Sequence, residues 1–104
     1  MDIEKLRRCI KEERYEWRKH TLIRLDERNI LQERVLEVIL NGEIIEDYPD
    51  NKPFPSCLIL GFVSGKPYHA VIALDAEDPM AYIITAYEPS LNKFEPDFRT
   101  RRKK

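Results

Sequence analysis

The chain has 104 residues, of which 36% are charged and 42% hydrophobic, and this size and composition predict one soluble globular domain. Its two cysteines, Cys9 and Cys57, lack the spacing of metal ligands, so neither a disulfide framework nor a zinc site is expected. The longest uncharged stretch, residues 53–65, is shorter than the roughly 20 residues of a membrane-spanning helix, and the first residues do not resemble a signal peptide. Three glycines cannot supply a glycine-rich phosphate loop. We therefore expect a cytoplasmic protein with no membrane partner, no metal and no cofactor.

Charge is distributed unevenly along the chain, although the net charge is only −1. Residues 35–92 carry two basic and nine acidic side chains, whereas residues 93–104 carry six basic and two acidic ones. We place one domain at residues 1–98 and a basic C-terminal tail at residues 99–104. Such a tail attracts polyanions by releasing their counterions, although a charged terminus can also serve only solubility. The candidate nucleic-acid-binding residues are Arg99, Arg101, Arg102, Lys103 and Lys104.

The first 42 residues predict three helices. Apolar residues recur at helical spacing in residues 2–14, 20–28 and 31–40. Asn29 is a plausible left-handed stop after the second helix, and Gly42 is a standard exit from the third. The residues of the second helix expected to face the core are Leu22, Ile23 and Leu25.

The remainder of the chain predicts a sheet. Four short runs are rich in β-branched and aromatic residues, and these are Glu43–Tyr48, Cys57–Val63, Tyr68–Asp75 and Met80–Tyr87. The loops between them are short, which favours antiparallel neighbours. Helices followed by a strand meander predict an α+β fold with N-terminal helices packed on a four-stranded antiparallel sheet. The central strands are apolar on both faces, so we expect the C-terminal segment or a partner to cover the second face.

The segment HTLIRLDER, residues 20–28, is the most specific motif. In a helix, His20, Arg24 and Arg28 stack along one face. Two guanidiniums one turn apart match a phosphate, and an imidazole that titrates near neutral pH could exchange a proton there. The alternative is that the two arginines pair with neighbouring carboxylates or with the acidic middle of the chain.

Three strand residues are further candidates for the same site: His69, Thr85 and Tyr87. In an unbroken hairpin register His69 lies opposite Ala86 and faces away from Thr85 and Tyr87. A one-residue slip or a β-bulge would bring the three side chains to one face. The sequence allows both registers. It also allows His69 to be a hydrogen-bonded core residue and Tyr87 to be an ordinary packing residue.

Several segments in combination resemble a known family. They are His20–Arg28, Ile30, Asn41–Pro49, Leu60–Gly61, Pro67–Val71, Ile84–Pro89 and Lys93–Arg101. Over roughly residues 17–101 the chain resembles a small prokaryotic family of domains of unknown function, DUF4258. The resemblance implies the α+β fold of RelE/ParE-type toxins and a metal-independent ribonuclease-like or toxin-like role, with an antitoxin as partner.

The residues that match the helical and strand motifs of that family are His20, Arg24, Arg28, His69, Thr85 and Tyr87. One hypothesis is an enzyme that cleaves RNA: Arg24 and Arg28 would hold the phosphate, a histidine would exchange protons, and Tyr87 would orient the substrate. The basic tail would add attraction to RNA or the ribosome. The other hypotheses are a non-catalytic protein- or nucleic-acid-binding module with the same fold, or a polar set that only ties helix to sheet.

Overall fold

The computed structural model describes residues 1–103, and these form three helices and five strands. In chain order the elements are α1 (Ile3–Lys11), β1 (Tyr15–Trp17), α2 (Lys19–Glu27), α3 (Gln32–Asn41), β2 (Glu43–Tyr48), β3 (Ser56–Val63), β4 (Lys66–Asp75) and β5 (Met80–Tyr87). The α+β class is therefore confirmed. Within residues 1–103 no helix has both the length and the apolar character that crossing a membrane requires.

The five strands form one mixed sheet in the order β1-β5-β4-β3-β2. Strands β2 to β5 are antiparallel neighbours, as predicted, but β1 pairs in parallel with β5, with Tyr15 opposite Ala81. The prediction of four strands, all antiparallel, is therefore wrong at this edge. Strand β1 has only three residues, too few for an alternating pattern to be visible in the sequence.

The helices cover one face of the sheet. Helix α1 contributes Leu6 and α3 contributes Val38 and Ile39, all at most 1% exposed. They pack against side chains from the three central strands, among them Cys57, Ile59, Ile72 and Ile83. This apolar layer is the main core, and it follows from the amphipathic helices and the β-branched strands that the sequence predicts.

Helix α2 is rotated relative to the prediction. Leu22 and Ile23, expected in the core, are 37% and 48% exposed, whereas Thr21 and Leu25 are 1% and 2% exposed. The reason is polar: the Thr21 hydroxyl donates to backbone carbonyls of β5, which fixes the helix with the Thr21–Leu25 stripe inward. A side chain four residues away on the helix shares its face, so Leu25 follows Thr21.

The end of the chain covers the second face of the sheet. Residues 93–102 fold back as a small hairpin, here called the C-terminal hairpin, in which Phe94 bridges Arg101 and the Glu95 N–H donates to the Thr100 carbonyl at 2.8 Å. Phe94 is 2% exposed, and its ring centroid lies 4.5 Å from that of His69 on β4. Of the two covers that the sequence leaves open, the C-terminal segment or a partner, the C-terminal segment is the one that lies over His69.

Candidate functional site

A β-bulge in β5 determines which strand side chains share a face. Ile72 lies opposite Ile83, but the next pair is Val71 and Thr85, so Ile84 is one residue too many on its strand. The extra residue shifts the register and reverses the alternation of side chains beyond it. Thr85 and every later residue of β5 therefore face the side opposite to that in an unbroken hairpin.

The shift brings His69 opposite Tyr87 rather than opposite Ala86. Thr85 lies two residues before Tyr87 and shares its face. Of the two registers that the sequence leaves open, the bulged one is therefore correct. The strand candidates His69, Thr85 and Tyr87 lie together on the face that the C-terminal hairpin covers.

Thr21 stabilises this bulge, and sequence reasoning missed it. Its hydroxyl lies within hydrogen-bonding distance of the carbonyl oxygens of Ile83 and Ile84, at the point where the bulge disrupts the ladder. Thr21 does not touch the candidate pocket, so it acts as a positioning residue. A signal for it was present, since Thr21 precedes the core residue Leu25 by one helical turn.

His69 is fully buried between the sheet and the C-terminal hairpin. Its Nε2 lies 2.6 Å from the carbonyl oxygen of Phe98, and its Nδ1 lies 3.3 Å from the Tyr87 hydroxyl. Burial lowers the pKa of His69, and the Phe98 carbonyl only partly offsets this effect. His69 is thus a satisfied core residue that reaches a ligand only through Tyr87.

A pocket of about 380 Å³ opens beside this pair. It lies between the end of α2, the end of β5 and the C-terminal hairpin, and we call it the basic pocket. Its lining residues are Arg28, Tyr87, Glu88, Ser90, Lys93, Phe94 and Arg101. Helix, strand and hairpin all contribute to it, so the pocket exists only when all three are docked.

Three cations line the basic pocket, and among residues 1–103 one of them has a carboxylate partner and two do not. Arg101 makes two hydrogen bonds to Glu46, at 2.7 and 2.9 Å, and Glu88 pairs with Lys66 at 3.2 Å. Within residues 1–103 neither Arg28 nor Lys93 makes an ion pair. The pocket therefore carries two uncompensated positive charges, which favour an anionic ligand.

Arg28 is held at the pocket by the sheet rather than by a carboxylate. Its Nη1 donates to the Ala86 carbonyl at 2.8 Å and lies 3.4 Å from the Thr85 hydroxyl. These contacts tie α2 to β5, as the purely structural hypothesis expects. A guanidinium has five N–H donors, so Nη2 and Nε keep donors for a ligand.

The other two members of the helical motif lie elsewhere. His20 is at the start of α2 and Arg24 in its last turn, and both side chains are exposed. Neither lines the basic pocket. Eight residues of helix separate His20 from Arg28 by about 12 Å along the axis. The structure thus groups Arg28 with Tyr87, Thr85 and the buried His69, without His20 and Arg24.

Most of the predicted basic tail, residues 99–104, is part of the folded structure. Arg99 pairs with Glu43, Arg101 with Glu46 and Arg102 with Glu95. Two of these pairs join the basic end of the chain to its acidic middle, and the third lies within the C-terminal hairpin. Lys103 is exposed. Lys104 lies outside the described residues.

A second pocket, of about 340 Å³, lies between α1 and the turn that joins β4 to β5. Lys5 and Arg8 are at its rim together with the acidic Glu12, and its Arg14 donates to Asp78 and to the Pro79 carbonyl. Its lining has three basic and one acidic side chain, as the basic pocket does, but unlike that pocket it contains no aromatic residue. Among residues 1–103 no group of three or more His, Cys, Asp or Glu side chains is placed to hold a metal ion.

Comparison with known proteins bears on the family of this chain. No curated protein and no solved structure matches it significantly. The model of a protein family described as "Domain of unknown function (DUF4258)" matches residues 17–88, more than half of the chain. The matched region contains Arg28, His69, Thr85 and Tyr87, whereas Lys93 and the rest of the C-terminal hairpin follow it. The chain therefore belongs to the DUF4258 family.

Proposed function

We propose that this domain binds a nucleic-acid strand by holding one of its phosphates in the basic pocket. The observation that carries the proposal is the pair of cations, Arg28 and Lys93, that line one pocket without a carboxylate partner among the described residues. A guanidinium can grip a phosphate with two parallel N–H donors, and an ammonium adds a compact positive charge.

Aromatic surface at the same pocket favours a nucleic acid over free phosphate. Phe94 is buried, but Tyr87 is partly exposed at the pocket, and an aromatic ring beside a phosphate site provides a face for a base or an apolar edge for a sugar. Single-stranded binders combine a positive groove with such rings. The pocket is small, so it holds one nucleotide of a longer strand.

Fluorescence anisotropy with a labelled single-stranded RNA of about 12 nucleotides tests this proposal. We expect Lys93→Gln and Arg28→Gln each to weaken binding about tenfold, because each removes a charge-assisted hydrogen bond to phosphate. Lys11→Gln is the matched control, since it removes an exposed positive charge from α1, which does not line the pocket.

Arg28→Gln also removes a contact between helix and sheet, so its thermal unfolding is measured beside its affinity. The Lys93 side chain makes no hydrogen bond to β5. If Arg28→Gln is unstable, the affinity of Lys93→Gln alone tests the proposal. Equal affinities of wild type, Lys93→Gln and Lys11→Gln would contradict the proposal.

RNA cleavage by a toxin of a toxin–antitoxin pair is a second candidate function. The observation that favours it is the contact between Tyr87 and His69, which places an imidazole one hydrogen bond behind the basic pocket. His20 does not line the pocket, so a proton would have to move through Tyr87. The packing of helices on one face of an antiparallel meander is the arrangement that a relationship to RelE/ParE-type toxins implies, and it supports this candidate at the level of fold alone.

Incubating the same RNA with the protein, and inducing its expression in cells, tests the second candidate. Cleavage predicts shortened RNA products and growth arrest, and both should disappear in Tyr87→Phe but persist in His20→Ala. Intact RNA and normal growth with the wild-type protein would leave the binding function without the enzymatic one.

A further inference from the structure

The hydrogen bonds of His69 fix the position of its proton. A backbone carbonyl can only accept, so the Nε2 atom that lies 2.6 Å from the Phe98 carbonyl must carry hydrogen. Full burial beside the Phe94 ring disfavours a second proton on the imidazole. Nδ1 is then a lone-pair acceptor.

The assignment on His69 determines how Tyr87 uses its hydroxyl. Nδ1 needs a donor, and the Tyr87 hydroxyl at 3.3 Å is the group that faces it. The phenol has one proton, which points to His69, and two lone pairs. Burial raises the pKa of Tyr87, so the phenol stays protonated at neutral pH. Toward the basic pocket, Tyr87 therefore offers hydrogen-bond acceptors only.

The other polar groups of the pocket have different preferences. Arg28, Lys93 and Arg101 are donors; Arg101 is already engaged by Glu46, whereas Arg28 and Lys93 suit phosphate oxygens. The Glu88 carboxylate is engaged by Lys66, and the Ser90 hydroxyl, which accepts from the Asn92 N–H at 3.0 Å, still has a proton to donate. The Tyr87 hydroxyl accepts a hydrogen bond, and Arg28 and Lys93 bind negative charge. A ligand that satisfies all three has a phosphate with an uncharged hydrogen-bond donor beside it.

We propose that Tyr87 is a specificity-determining residue that accepts a hydrogen bond from a ribose 2′-hydroxyl, and so selects RNA over DNA. The inference rests on the proposed binding function and specifies its substrate class. In RNA the 2′-hydroxyl lies next to the phosphate, and DNA has no donor there. The selection is a property of the bound ground state and requires no bond cleavage.

Four labelled oligonucleotides of one sequence test this inference at one fixed salt concentration. They are RNA, DNA, 2′-O-methyl RNA and 2′-fluoro RNA, and only the first has a 2′-hydroxyl donor. The 2′-fluoro strand keeps the sugar pucker of RNA, so it separates the hydrogen bond from backbone shape. We expect the wild-type protein to bind RNA about 3- to 10-fold more tightly than the other three, the range for one net hydrogen bond.

Tyr87→Phe removes the acceptor and keeps the ring. We expect its affinity for RNA to fall to that for 2′-fluoro RNA, with its affinity for DNA unchanged. Tyr82→Phe is the matched control, because Tyr82 stacks on Phe54 and does not line the pocket. Thermal unfolding of both variants verifies the fold, and if Tyr87→Phe does not fold, the four wild-type affinities alone decide.

Two results overturn the inference while the proposed function stands: equal wild-type affinity for RNA and 2′-fluoro RNA, or undiminished discrimination in a folded Tyr87→Phe protein. Failure of the wild-type protein to bind any of the four strands overturns the proposed function and the inference with it.

Discussion

His69 has a position in which its neutral form is favoured. The ring is fully buried, it stacks edge-on against Phe94, and both nitrogens have hydrogen-bond partners. A charged imidazole would be buried without its hydration. It would also carry a proton on Nδ1, which would compete with the Tyr87 hydroxyl proton for the space between these two atoms. The surroundings thus favour a structural histidine whose influence on a ligand passes through its neighbour.

This environment predicts a pH dependence of stability. Burial lowers the pKa of His69 in the folded state below the ordinary value of 6.5, so between these two values only the unfolded chain takes up the proton. The free energy of unfolding should therefore be lost as the pH falls below about 6.5, with a slope of at most about 1.4 kcal/mol per pH unit. Urea unfolding at a series of pH values measures this slope.

His69→Gln should flatten that slope between pH 6.5 and the folded pKa, and the exposed His20→Gln should not. Glu46 contributes in a separate range, because Arg101 lowers the pKa of this carboxyl below its ordinary value of 4.5. Its effect is lost progressively as the pH falls from about 4.5 through that lower value. An unchanged slope in a folded His69→Gln protein would contradict the assignment to His69.

At the scale of elements, the C-terminal hairpin is the part that completes the site. Three of its residues, Lys93, Phe94 and Arg101, line the basic pocket, and Arg101 also lies over the Phe94 ring, 4.9 Å from its centroid. Its four-residue turn is tightened by Asp97, whose carboxylate accepts from the Arg99 and Thr100 N–H groups at 2.9 Å each. The hairpin is therefore an ordered part of the domain.

Phe94→Ala tests the contribution of this hairpin. Removing a fully buried phenylalanine ring typically lowers the free energy of unfolding by about 3–5 kcal/mol, because apolar contacts are lost and a cavity remains. Leu91→Ala is the control, since Leu91 is 50% exposed in the same part of the chain and should change stability by less than about 1 kcal/mol. Thermal or urea unfolding compares the two, and similar losses would show that the hairpin does not anchor through Phe94.

The elements differ in how far the sequence predicts them. The runs of β-branched and aromatic residues predict β2 to β5 well, and Asn29, with a φ of 56°, ends α2 as expected. The bulge at Ile84 is not predictable in the same way. It depends on Thr21, far away in the chain, whose hydroxyl meets the displaced carbonyls. Local sequence patterns do not encode such a contact. The sequence therefore leaves two registers open, and only the bulged one places His69 beside Tyr87.

The same limit applies to the helical motif. Spacing correctly puts His20, Arg24 and Arg28 along one side of a helix, but it does not say where that helix meets the sheet. Only its last residue reaches the basic pocket. The sequence does not single out Lys93 as a site residue. It reaches the basic pocket only because the chain folds back over the sheet after β5.

At the scale of the whole molecule, the uneven charge of the chain is largely neutralised by folding. Arg99, Arg101 and Arg102 each meet a carboxylate, two of these in β2 and one inside the hairpin. The sequence shows a basic end and an acidic middle, but it does not show that they pair. Of the cations that line the basic pocket, Arg28 and Lys93 are left without a carboxylate partner among residues 1–103.

This distribution predicts a weak salt dependence of RNA binding. If two cations contact phosphates, the logarithm of the affinity should fall with the logarithm of the salt concentration with a slope of about −1.4, the value for single strands. Anisotropy titrations at several salt concentrations measure it. A slope several times steeper would mean that the arginines of residues 99–102 leave their carboxylates to bind RNA, and Lys93→Gln should reduce a slope of −1.4 by about half.

The backbone at Phe98 has a consequence for variation in this domain. Its φ of 59° is in the left-handed region, which side chains other than glycine adopt at some cost, and its carbonyl is the acceptor for His69. Since that oxygen belongs to the main chain, any amino acid at position 98 supplies it, provided that the loop keeps its shape. Sequence drift at this point can therefore leave the imidazole's tautomer intact, and with it the direction of the hydrogen bond from Tyr87.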